Sequence, residues 1–214
     1  MKEKEKEKEN KMTKKNLYQK FELELKMRDK LLGGKPKSEK LIAGWLETRD
    51  RLNTLEKEKK QIDMMEEEKK AWTGFKKDAK GLYLDSYQIK GMVKETAKVI
   101  KLTKQVRGLT GLLQSGFFVF PAHIYLGKMQ PDDFIEETAQ VMGIRGPRSI
   151  IKRHDYVEKI TLNFEIWFFD TGVLNEENLR LIFEAGQEVG LGTNRHEGGE
   201  FGRFEVKKLE RIES

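Results

Sequence analysis

Residues 159–209 read KITLNFEIWFFDTGVLNEENLRLIFEAGQEVGLGTNRHEGGEFGRFEVKKL, and three elements follow from that line. Ile160, Leu162, Phe164, Ile166 and Phe168 alternate with mostly polar neighbours, the period-2 pattern of a strand with one buried face. Trp167 and Phe169 fall on the opposite face, so that side is partly covered as well. Asn175 then stands as an N-cap, with Glu176 and Glu177 in the first turn, where carboxylates oppose the positive end of the helix dipole. Leu179, Ile182, Phe183 and Val189 share one helical face, and Gly190 is placed to stop the helix. A glycine-rich loop leads to a last strand from Gly202 to about Leu209.

Upstream, Ser149–Tyr156 reads as a further strand, joined to 159–169 by a tight turn near Val157 and Glu158. At the other end, Leu17, Phe21, Leu23 and Leu25 alternate with Tyr18, Lys20, Glu22, Glu24 and Lys26, a first half-buried strand. Gly33–Pro36 is a loop, and Ser38 caps a short helix that carries Leu41, Ile42, Trp45 and Leu46. Gly81–Asp85 is a brief strand, and Ser86 is the expected cap of a long helix reaching about Val106. Lys90, Lys94, Lys98, Lys101 and Lys104 on it fall within about a third of the circumference at ~100° per residue. After the glycine-punctuated 108–116, FFVFPAHIYL (117–126) is a strand interrupted by Pro121, and the chain is loop-like through Pro131. The closing β-β-α-β predicts the second half of a βαββαβ unit. The expected fold class is therefore α+β, an elaborated ferredoxin-like, RRM-like antiparallel sheet with helices on one face. The other sheet face is then open to a strand of nucleic acid.

Residues 1–15, with seven Lys and four Glu and almost nothing apolar, read as a charged disordered tail. Residues 16–214 read as a single domain, with a charged helical insertion at about 52–72. Cysteine is absent from the 214 residues, which excludes disulfides, thiolate metal sites and cysteine nucleophiles. No apolar run is long enough for a membrane span, and no secretory signal opens the chain. A reducing, soluble, cytoplasmic setting without membrane contact is the expectation. The balance of 42 Lys plus Arg against 36 Asp plus Glu, net +6, is only mildly basic, so the placement of the charges must decide what it means.

The most specific motif is GLGTNRHEGGEFGRFEV, residues 190–206, in which Gly190, Gly192, Gly198, Gly199 and Gly202 surround Arg195, His196 and Arg203. Glycines admit positive φ and close backbone approach, successive N–H groups form anion nests, and arginine forks grip phosphate. The competing reading is a Schellman-type helix stop followed by a mobile hairpin. The loop is neither a dinucleotide fingerprint, since its glycines follow a helix, nor a P-loop. On Gly190, Leu191, Gly192, Arg195, Gly199, Gly202 and Phe204 it resembles the C-terminal glycine-rich loop of the repeat-associated mysterious proteins (RAMPs), the ferredoxin-like RNA-binding subunits of CRISPR systems. Ser86, Ile89, Lys90 and Gly91 within LYLDSYQIKGMVKETA (82–97) resemble that family's proline-glycine-serine-serine-leucine-lysine-glycine entry into a helix, and LLGGKP (31–36), after the first strand, resembles its glycine-rich turn there. The chain is also similar to uncharacterised bacteriophage and prophage proteins that end in a like GRFEV segment.

The resemblance implies a RAMP-type backbone subunit that holds single-stranded RNA or DNA without cleaving it, repeated as a homo-oligomer or filament along the strand. Gly190, Gly192, Arg195, Gly199, Gly202 and Arg203 would cradle phosphate, with counter-charge from Lys90, Lys94, Arg148, Lys152 and Arg153. Two other function classes stand beside it. One is a metal-independent endoribonuclease using His196 or His123, the other a phage assembly or defence-inhibitor module that binds protein. The chain has three histidines, His123, His154 and His196, too few for a histidine-rich metal site. No metal and no cofactor is expected.

Overall fold

The computed structural model describes residues 17–37, 72–143, 146–193 and 201–212. The expected tail, the helix expected from Ser38 and the charged insertion lie outside the described residues, except that Trp72 belongs to a strand. In chain order the strands and helices are β1 (Tyr18–Met27), β2 (Leu31–Leu32), β3 (Lys35–Pro36), β4 (Trp72–Gly74), β5 (Lys76–Asp78), β6 (Gly81–Asp85), α1 (Ser86–Val99), α2 (Leu102–Gln105) and α3 (Leu109–Ser115). They continue as β7 (Phe117–Phe120), β8 (His123–Tyr125), β9 (Asp133–Gly143), β10 (Gly146–Val157), β11 (Thr161–Phe169), α4 (Glu176–Val189) and β12 (Phe204–Arg211).

The central sheet runs β12-β1-β11-β7, every neighbour antiparallel. Followed through the elements that build it, the chain goes β1, α1, β7, β11, α4, β12. That is a βαββαβ unit whose strands lie in the order 4-1-3-2, the ferredoxin-like arrangement. Alternation sets which face is buried. Phe21, Leu23, Leu25 and Met27 of β1 and Leu162, Phe164, Ile166 and Phe168 of β11 point into one core. The same core takes Ile89, Met92, Val93 and Ala97 of α1 and Leu179, Ile182 and Phe183 of α4. Gly186 lets the layers close: a Cβ there would stand 3.0 Å from Met92 Sδ and 3.5 Å from Phe204 Cζ. Asn175 accepts a bond from the Asn178 N–H (2.8 Å), and Gly190 ends α4 at φ 79°, as the residue types predict.

Three expectations are corrected. The strands on either side of Val157 and Glu158 do not form a hairpin. β10 pairs with β9, β2 and β4 in a second sheet, and only β11 enters the first. The chain crosses between sheets at Lys159, whose φ is 56°. β9 is a strand where none was expected, and it pairs with β10 from Asp133↔Tyr156 to Gly143↔Gly146. The long helix stops at Val99: Lys101 takes φ 61°, and α2 and α3 follow. No Gly or Pro marks that break. Leu102, Leu109 and Leu113 are buried, and a straight helix could not return all three to the core, so burial overrides local propensity.

A buried polar seam joins the second sheet to the turn at Gly33. The Thr73 hydroxyl donates to the Gly33 carbonyl (2.6 Å), so His154 Nδ1, 2.7 Å from that hydroxyl, is the donor to it. Asp155, almost fully buried, accepts from Trp72 Nε1 (2.8 Å) and pairs with Lys37 Nζ (2.5 Å). His154 thus serves packing here. No helix among the described residues is long and apolar enough to cross a membrane.

Candidate nucleic-acid interface

The base of the glycine loop is a clasp. The Leu191 N–H donates to the Gly202 carbonyl (2.8 Å), the Gly202 N–H to Lys30 (2.9 Å) and the Arg28 N–H to Arg203 (2.9 Å). Gly190, Gly192 and Gly202 have φ of 79°, 90° and 75°, where a side chain is strained. A Cβ on Gly192 would lie 2.8 Å from Leu31 Cδ1. These three glycines therefore have a reason in the fold itself, the closing of α4 and β12 onto β1 and β2. Arg195, His196 and Gly199 lie outside the described residues.

Arg203 Nε stands 3.5 Å from Glu188 Oε2, and Arg28 pairs with the same carboxylate at 2.5 Å. The hydrogen bond from Arg28 holds the Glu188 carboxyl below its ordinary range, with the charges of Arg28 and Arg203 adding to it. A carboxyl depressed in the folded state stabilises above its unfolded pKa of about 4.3, and that stabilisation disappears as pH falls through the lower folded value. Glu188→Gln should therefore lower the melting temperature at pH 7, and the gap to wild type should close as the pH is taken down toward 3. A gap unchanged across that titration would show that the clasp does not depend on the ion pairs.

The basic positions separate. Lys90 donates to the Gln114 carbonyl (2.8 Å), and burial, followed by the Lys94 charge, pushes its ammonium down. Arg153 lies over Phe134 and Trp72 (3.1 and 4.3 Å to the ring centroids) and 3.7 Å from Glu136. Lys152 is half-exposed on β10, and Arg148 belongs to the same strand nearer its Gly146 end. Lys94, Lys98 and Lys104 do converge, because the turn after Val99 swings α2 back beside α1. They line a groove of about 650 Å³ with Gly91, Glu95 and Thr110. Among the described residues these three lysines are exposed and have no ion pair.

A second groove, of about 340 Å³, lies between the clasp at Gly192 and Thr193, the turn at Gly34 and Lys35, Lys76, and the α1 start at Tyr87 and Gln88. Tyr87, Gly91, Lys94 and Lys98 succeed one another at steps of four, three and four residues, so the two grooves lie end to end along one ridge of α1. Gly91 is the saddle between them, and a Cβ there would have nothing within 4 Å. No packing in the described residues calls for a glycine at that place, although it costs the helix about 0.5–1 kcal/mol against alanine. The ridge begins at the α1 N-terminus, where the Ser86 N–H donates to the Ala122 carbonyl (2.9 Å) and the N-cap Asp85 is paired with Lys76.

The open face of the central sheet is less suited to a polyanion. Tyr18, Phe118, Phe120, Trp167 and Phe169 form an aromatic cluster at one end, with Lys20 Nζ 4.1 Å from the Trp167 ring centroid. Past it, Glu22 and Glu165 face each other across β1 and β11, and Glu24 follows. Lys208 of β12 pairs with Glu22 at 2.7 Å and stands 3.5 Å from Glu210, so this part of the face is of mixed charge with its cation already answered by acids. Sequence reading missed this cluster; it grouped Lys104 with Lys94 and Lys98 on one straight helix, whereas the structure brings them together across a turn. The signal for the cluster was the aromatic content of the outward positions Tyr18, Trp167 and Phe169.

Among the described residues no three His, Asp or Glu side chains gather closely enough to hold a metal ion. His123 Nδ1 lies 3.9 Å from Asp78 Oδ2, beyond hydrogen-bond reach.

Fold and grooves together define an elaborated ferredoxin-like α+β protein with a lysine-bearing ridge on its first helix. No protein-family model and no curated protein sequence matches the chain. Among solved structures it is similar to a chain of a Type III-B Cmr-beta complex bound to cognate target RNA, with a TM-score of 0.49 and 18% identity. That similarity covers 99% of this chain and 66% of the other, so the chain spans less than two thirds of its counterpart's length.

Proposed function

We propose that the chain binds single-stranded RNA or DNA without cleaving it, as a RAMP-type backbone subunit does. The observation that carries this reading is the pair of grooves end to end on α1, one lined by Lys94, Lys98 and Lys104 and the other by Lys35, Lys76 and the clasp. Lys94, Lys98 and Lys104, without an ion pair among the described residues, cost folding energy through mutual repulsion, and a bound polyanion relieves it, whereas Lys76 is already paired with Asp85. The resemblance of the glycine loop and of the α1 entry to RAMP motifs supports the same reading, and extends it to copies set side by side along one strand.

The test is a titration of short single-stranded RNA and DNA at two salt concentrations, with wild type and a Lys94→Ala, Lys98→Ala, Lys104→Ala variant. Each phosphate contact contributes about 0.7 to the salt slope of a single strand, so losing three should lower the slope by about 2 and weaken binding at 0.15 M salt roughly 50-fold. All three side chains are exposed, so the melting temperature should hold. Wild-type binding with no salt dependence, or a variant indistinguishable from wild type, defeats the proposal.

A further inference from the structure

The small sheet β5-β6-β8 has an inner face, Leu82, Leu84 and Ile124, buried in the core. Its outer face is built from the alternate residues. Lys76, Tyr83 and Tyr125 form one cross-strand row, and Asp85 and His123 form the next. The rings of Tyr83 and His123 are stacked, with centroids 4.1 Å apart and planes at 19°, and Tyr125 meets Tyr83 edge-on at 6.0 Å. The His123 side chain is 45% exposed, so the stack stands at the surface rather than filling the core.

The acids on this face are already answered from within. Lys76 pairs with Asp85 at 2.6 Å. Asp78 accepts from the Tyr125 hydroxyl and from the Lys80 N–H, each at 2.8 Å, and the Tyr125 bond keeps its carboxyl below the ordinary range. Lys80 Nζ stands 5.7 Å from the Tyr125 ring centroid. The face is continuous with the groove at the start of α1, which Lys76, Tyr83, Asp85 and Tyr87 also line, and Tyr87 is 63% exposed.

From this arrangement we infer that the outer face of β5-β6-β8 is a stacking platform for unpaired nucleobases. A base lies on the exposed side of the His123–Tyr83 stack while the adjoining phosphates run into the α1 grooves. The inference rests on the proposed function and names how the bases are held. Base–aromatic stacking tolerates any sequence, since every base has a π-face, and is worth about 1–3 kcal/mol per base. The platform thus adds affinity that salt does not remove.

The experiment uses the full chain and a short single-stranded RNA carrying the fluorescent base 2-aminopurine at one position, the position being moved along a series of oligonucleotides. With wild type, emission should be quenched at one or two positions. Both His123→Ala and Tyr83→Ala should abolish that quench and weaken binding by about 5- to 150-fold at an unchanged salt slope. His123→Phe, which keeps a ring and loses the imidazole nitrogens, should restore quench and affinity, as mere support of the fold by His123 would not predict. Quench and affinity unchanged in both alanine variants, while the triple lysine variant weakens, would overturn the platform and leave the binding reading standing. Loss of affinity shared by His123→Ala and His123→Phe, or RNA shortened by wild type but not by His123→Phe, would overturn stacking in favour of a chemical role for the imidazole. No binding by wild type removes both readings together.

Discussion

Gly202→Ala should cost about 3 kcal/mol or more and lower the melting temperature by about 6–12 °C. Two causes add. At φ 75° an L side chain is in the left-handed region, which costs about 1–2 kcal/mol. The new Cβ would also lie 2.9 Å from the Leu191 nitrogen and closer still to its carbonyl oxygen, so the clasp between α4 and β12 must open. Gly91→Ala is the contrast. Its Cβ enters open space, and the helix should gain about 0.5–1 kcal/mol. Thermal melts of the two variants beside wild type decide the matter. A Gly202→Ala protein that melts with wild type would mean the loop base is not held as described.

Phe168→Ala should cost about 3–5 kcal/mol, the usual range for deleting a fully buried ring. Phe168 has no exposed surface and stacks between Phe21 and Phe117, at 5.7 and 6.4 Å. Phe169, the next residue, points to the opposite face of β11 and packs on Tyr18 and Phe118 at 4.9 and 5.9 Å. Its replacement by Ala should cost about 1–2 kcal/mol, from lost aromatic pairs and partial burial. Urea unfolding of the two variants compares neighbours in sequence that differ in face. Equal losses would contradict the register of β11 against β1, since a slip of one residue exchanges the faces.

The charge distribution also separates the two sides of the central sheet. The groove of Lys94, Lys98 and Lys104 has Glu95 as its one acidic lining residue among the described residues, whereas on the open side Glu22 stands opposite Glu165 and is paired with Lys208. Mild net charge conceals this, because +6 over 214 residues is compatible with one basic ridge and one face of mixed charge. Partner chemistry follows from that local arrangement rather than from the total.

How much was legible differs by element. β1, β11 and α4 were readable because each carries its own pattern: alternation in Phe21, Leu23 and Leu25, alternation in Ile160 to Phe168, and a cap, an amphipathic face and a glycine stop from Asn175 to Gly190. Those elements suggested a ferredoxin-like class, but the strand expected beside β11, residues 149–156, belongs to the second sheet, and β7 takes its place in the order. β9 was not readable, since it pairs with β10 alone among the described strands, and Asp133, Phe134, Glu136 and Thr138 on both of its faces are exposed, which imposes no period. The break at Lys101 was not readable either, because its cause is the burial of Leu102 and Leu109 against distant residues.

The chain's own pattern therefore determined the fold class, the buried faces of the central sheet and the candidate loop, all of which depend on residues a few positions apart. Only the tertiary structure decided which cations share a channel, that Arg203 meets Glu188 in a clasp, and that Tyr83, His123 and Tyr125 meet on one face. Local periodicity fixes the direction in which a side chain leaves its own helix or strand. The separation between side chains on different elements depends instead on how those elements pack and where the chain turns between them.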